Sequence, residues 1–81
     1  MAKIKTYGVC DGHDAVTPSD TVDLKHFGWF EVQGNAGNVK FDPVEGEPGQ
    51  TEAYATGQCS KHRVSRIYAT GTTATGIKIN Y

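Results

Sequence analysis

The chain has 81 residues, 21% of them charged, with a formal net charge of −1, and it contains two cysteines and ten glycines. One domain spanning 1–81 is the expectation, near the lower limit for independent folding, where roughly 60% of the unfolded surface is buried. Interspersed charges of both signs argue against a nucleic-acid partner, because counterion release needs a concentrated basic surface, and no 18-residue apolar run offers a membrane-spanning helix.

In chain order, KIKTYGV at 3–9 reads as a first strand or as part of an extended N-terminal arm over 1–13. The opening MAKIKTYGV lacks the apolar stretch of a secretion signal, so the chain is expected in a cytoplasm at first, with its cysteines reduced. DGHD at 11–14 reads as a turn, and TPSD at 17–20 as another, with Pro18 fixing φ. TVDL at 21–24 is a short strand. FGWFEVQ at 27–33 alternates, with Phe30 and Val32 on one face and Trp29, Glu31 and Gln33 on the other. GNAGN at 34–38 is a tight connection, and NVKF at 38–41 resumes the sheet. DPVEGEPGQ at 42–50 is an exposed acidic loop rich in breakers.

TEAYATG at 51–57 is the next strand. In the run 59–71, His62, Val64, Arg66 and Tyr68 alternate with Arg63, Ser65, Ile67 and Ala69. A turn over 71–76 leads into IKINY, where Ile77, Ile79 and Tyr81 share a face. Val, Ile and Thr supply twenty residues, types that favour a pleated surface, and no window keeps a helical apolar period. The fold class is therefore all-β: a small antiparallel β-sandwich, jelly roll or barrel of six to seven short strands, with little or no helix.

Seven Val, four Ile, three Phe and the single Leu24 make a thin core. Support from a staple, a metal or a partner subunit is expected.

Neither a G-x-S-x-G elbow nor a glycine-rich phosphate loop is present, and the chain is not expected to be an enzyme. Asp11, Asp14, Asp20 and Asp23 lack the alternation and central glycine of an EF-hand loop and read as turn and capping residues. Cys10-x-x-His13 and Cys59-x-x-His62 share one spacing, and together would supply the four ligands of a closed zinc site in a small zinc-stabilised adaptor. A Cys10–Cys59 disulfide, or two thiols beside surface histidines, are the other readings of the same residues. Lys61, His62, Arg63 and Arg66 form the one basic cluster, read as charges that alternate strand positions present to solvent. Trp29, between Phe27 and Phe30, reads either as a sugar-stacking platform of a carbohydrate-binding module or, with Phe27, as cover for a subunit contact.

Three stretches carry a resemblance: Thr17-Pro18-Ser19-Asp20-Thr21 with Asp23-Leu24, then Gly34-Asn35-Ala36-Gly37-Asn38, then Arg63-Val64-x-Arg66-Ile67 followed by Ala69-Thr70-Gly71-Thr72-Thr73-Ala74-Thr75. From about Asp14 to Tyr81 the sequence resembles a family of small virion proteins of tailed bacteriophages and gene transfer agents, spike-base or head-decoration proteins. The middle, 42–62, is longer and more acidic than that pattern, and the segment before Asp14 lies outside it. The resemblance implies a non-enzymatic virion structural protein without a cofactor, a capsid decoration (cement) or spike-base subunit. Such a protein forms a homo-oligomer, a trimer or pentamer, binds the major capsid protein, and stabilises the shell or seats a spike or fibre protein. It would reside on the capsid surface of a virion assembled in the host bacterial cytoplasm. The residues expected at its interfaces are Phe27, Trp29, Arg63, Arg66, Tyr68, Ile77, Ile79 and Tyr81. The Ile77, Ile79, Tyr81 stripe can complete a sheet or pack on a sister subunit, and a carboxylate at Tyr81 calls for a basic neighbour, Arg63 or Arg66.

Overall fold

The computed structural model describes residues 10–81. Within them the chain is all-β, with six strands and no helix: β1 His13–Ala15, β2 Trp29–Val32, β3 Gly37–Pro43, β4 Gln50–Tyr54, β5 Val64–Ile67 and β6 Ile77–Asn80. They form two antiparallel three-stranded sheets, β1-β6-β2 and β4-β3-β5. An isolated antiparallel bridge between Gly28 and Val64 ties the two sheets together next to β2.

Alternation decides what each strand buries. Phe30 and Val32 of β2 stand opposite Ile79 and Ile77 of β6, and all four point inward and are buried. Val39 and Phe41 of β3 do the same from the second sheet, with Tyr54, Val64 and Ile67. The Phe30 ring sits at the centre, edge-on to Tyr54 at 4.8 Å and tilted against Phe41 at 5.5 Å, arrangements that ring quadrupoles favour. One core therefore draws on both sheets.

In β5 the period fails. Val64 and Ile67, three positions apart, are both buried. The reason is a bulge: Phe41 pairs with Ile67 and Asp42 with Arg66, but Pro43 pairs with Val64, so Ser65 is the extra residue.

Two other segments differ from their sequence-based expectations. Residues 13–15, read in part as a turn, are an edge strand on β6. Residues 21–24, read as a strand, form none. The Ser19 hydroxyl instead accepts the Thr21 and Val22 N–H groups, a local turn that competes with a ladder. The segment still touches β5 at two points, Ser19 N–H to Ile67 C=O at 2.9 Å and Leu24 N–H to Ser65 C=O at 2.8 Å. The KIKTYGV strand or arm lies outside the described residues.

Residues 72–75 are more than a turn. They lie along β3 and the 34–38 connection, and threonine hydroxyls serve where a strand's carbonyls would. Thr72 accepts Lys40 N–H at 3.0 Å, Thr73 accepts Asn38 N–H at 2.8 Å and Thr75 accepts Asn35 N–H at 2.8 Å. The approach is close enough to require glycine opposite: a Cβ on Gly37 would lie 2.7 Å from the Ala74 nitrogen, and one on Gly34 2.7 Å from the Thr75 carbonyl oxygen.

Candidate interaction surface

The hydrogen bonds of the three sequence blocks converge. Asp20 of the first block accepts both the N–H (2.8 Å) and the hydroxyl (2.6 Å) of Thr70 in the third, and these bonds hold its carboxyl below its ordinary value of 3.8. Arg66 donates to Asp23 at 2.9 Å and to the carbonyls of Asp20 and Thr21. The second block, 34–38, lies under Thr73 and Thr75. All three blocks are thus one internal frame.

That frame accounts for two of the expected interface residues. Arg66 is tied to Asp23 and sits over Tyr68, whose ring also carries Lys40 at 4.9 Å. Tyr68 donates to Asp42 at 2.8 Å, and that bond leads the effects that raise its phenol above 10.0. Asp42 also accepts Gly49 N–H at 2.7 Å, closing the β3–β4 hairpin.

Of the two roles open to the terminal stripe, the structure displays sheet completion: β6 is a central strand, and Ile77 and Ile79 are each 4% exposed. Their side chains are spent inside the chain. Neither arginine meets the Tyr81 oxygen; it accepts the N–H groups of Asp11 and Gly12. The Tyr81 ring stacks on His26 at 4.0 Å, and its hydroxyl donates to Asp14, the leading reason its phenol is raised above 10.0.

Trp29 is 8% exposed, which leaves no open ring face for a sugar. The zinc set does not assemble either, since among the described residues no three His, Cys, Asp or Glu side chains come close enough to hold a metal. His13 is instead hydrogen-bonded to Asn80 and lies 3.5 Å from Glu31 across the β1-β6-β2 sheet. Cys10 and Cys59 are both half-buried thiols.

Three grooves that share lining residues form a band from β1 to the β3–β4 loop. A groove of about 340 Å³ runs between β1 and the segment 19–26, with Val22, Leu24 and Lys25 in its lining. Lys25 and His26 carry it into a second groove with Phe27, Arg63 and Tyr81. Arg63 carries it into a third, with Trp29, Val44, Lys61 and His62. Of the residues expected at interfaces, Phe27, Arg63 and Tyr81 are therefore brought together in the second groove, and Trp29 lines the third. Val22, Val44, Lys25 and His26 join them from outside the residues expected at interfaces. The signal for Val44 was there, a lone aliphatic residue in an acidic loop; exposure of Val22 at 65% is a tertiary fact with no local sign.

No family model matches the chain, and no curated protein matches it. A solved structure does. The chain is similar to a chain of a gene transfer agent capsid. That capsid belongs to a native GTA particle computed with C5 symmetry. The two chains share 27% identity and superpose with a TM-score of 0.75, over 98% of this chain and 92% of the other. The likeness runs the length of both.

Proposed function

We propose that this chain is a non-enzymatic structural protein of a phage-like or gene transfer agent particle, a capsid decoration or head spike-base subunit that oligomerises and binds the shell. The observation that carries the reading is the full-length likeness to a chain of a GTA capsid, on which the three sequence blocks converge independently. The band supports it, because a protein that acts by adhesion needs an exposed apolar centre with a polar rim. Its partner would be the major capsid protein, and its copy number three or five, matching a local threefold or a vertex. It would stabilise the shell or seat a fibre, and the particle surface would be its location.

The test is to express a tagged copy in a particle-producing strain and separate particles on a density gradient. The tagged chain is expected in the particle fraction, and native mass spectrometry of the purified protein is expected to give a trimer or a pentamer. A chain that stays at the top of the gradient and runs as a monodisperse monomer would overturn the reading.

A further inference from the structure

We propose that the band centred on Phe27 and Arg63 is the surface that grips the particle, and that it takes a protein surface rimmed with carboxylates. This assignment rests on the capsid-associated reading above. Two independent distributions single out the band.

The first is apolar. Among the described residues three large hydrophobic side chains are exposed, Val22 at 65%, Phe27 at 37% and Val44 at 40%. All three line the linked grooves of the band, so exposed apolar surface is gathered rather than scattered. Gathered patches mark contact sites, whereas single exposed residues need no explanation.

The second is electrostatic. Six lysines and arginines lie among the described residues. Lys40 and Arg66 are committed to Tyr68 and Asp23, and Lys78 stands opposite Glu31 in the β2–β6 ladder. The other three, Lys25, Lys61 and Arg63, all line the band. Of the three acids there, Asp23 is paired with Arg66, Asp14 accepts the Tyr81 hydroxyl, and Glu45 stands beside Val44 in the third groove. The chain is net negative, yet this face presents uncommitted cations around an apolar centre. A carboxylate-bearing rim on the partner satisfies them, and an apolar patch satisfies Phe27 and Val44.

Two other occupants fit less well. Twofold pairing of the band with itself would gather two sets of Lys25, Lys61 and Arg63 in one interface, with Glu45 the one carboxylate there not already bonded to a side chain of the chain itself. A nucleic acid would use the cations but leave Phe27 and Val44 facing phosphates, and three cations give only a shallow salt dependence.

The experiment measures binding of purified protein to purified particles assembled without it, at low and high salt. The variants are Lys25→Gln/Arg63→Gln together, Phe27→Ala, and Lys78→Gln as the control away from the band, with thermal melts confirming that each folds. Wild type and Lys78→Gln are expected to bind alike and to weaken as salt rises. The double variant is expected to bind at least about ten-fold more weakly, with most of the salt dependence gone, and Phe27→Ala to weaken at all salt concentrations. If wild type does not bind particles, the capsid reading itself fails. If wild type binds and the folded double variant binds equally well, only the band assignment falls. It falls also if the double substitution dissolves the protein's own oligomer, which makes the occupant a second copy, or if duplex DNA competes for the band as well as particles do.

Discussion

The threonine segment 72–75 gives the most direct test of how this small fold holds together. Replacing Thr72, Thr73 and Thr75 by valine preserves shape and strand preference and deletes three acceptors. The Lys40 N–H that Thr72 receives is half-buried, and stranding it costs about 1–3 kcal/mol. The Asn38 and Asn35 N–H groups are at exposed positions, where water substitutes and the loss is about 0.5–1.5 kcal/mol each. The triple variant should therefore lose about 2–6 kcal/mol. A domain of this length has a total stability of about 4–12 kcal/mol. At about 4–8 °C per kcal/mol for a domain of this size, the expected drop in Tm is at least about 8 °C. Thermal unfolding followed by circular dichroism measures it, and Thr72→Val alone should cost more than either other single substitution. A triple variant melting within about 3 °C of wild type would refute the claim that these hydroxyls replace a strand.

Acid should act through Asp20. Its carboxyl lies below its ordinary 3.8 because Thr70 donates to it twice, so its contribution is present above that value and is lost as pH falls through the lower folded value. Asp20→Asn should therefore melt below wild type at pH 6, and the gap should close below about pH 4; a constant gap from pH 6 to pH 2 rules the bond pair out as the cause. At the alkaline end, Tyr54, Tyr68 and Tyr81 are all raised above 10.0, the first mainly by burial and the other two mainly by donating to Asp42 and Asp14. Raised phenols stabilise the fold below their unfolded value and stop doing so as pH climbs through the folded one. Absorbance at 295 nm should show these three ionising later in the native protein than in urea, and Tyr68→Phe should remove one of the late transitions.

Much of the fold was legible because strand alternation is a local property. Phe30 and Val32 declared their inward face, and Ile77 with Ile79 declared theirs. The misreadings have specific physical origins. Val64 and Ile67 break the period because the bulge at Ser65 is set by its partner strand, which no window of β5 contains. Residues 21–24 have strand propensity, but the Ser19 hydroxyl captures two of their N–H groups. Residues 13–15 have little propensity, yet β6 offers them an edge. Trp29 alternates outward and is nevertheless buried, since alternation assigns a face and the rest of the chain decides whether that face is covered. The band was half legible: Phe27, Arg63 and Tyr81 could be named, but their meeting with Lys25 and Val44 depends on how 19–28 and the β3–β4 hairpin pack.

The division of labour between frame and surface bears on what the resemblance can carry. Asp20 and Arg66 bind the first block to the third, and Gly34 and Gly37 seat the second beneath Thr73 and Thr75. These residues answer to each other, so a chain that keeps them keeps the scaffold whatever it adheres to. Of the residues that line the band's second and third grooves, Arg63 alone belongs to a block; Lys25, Phe27, Val44 and Lys61 do not. Val44 and Lys61 fall in the stretch where this sequence departs most from the pattern it resembles. A frame closed on itself leaves such positions free to change without loss of fold, so the chemistry of the band can differ between chains that share the scaffold.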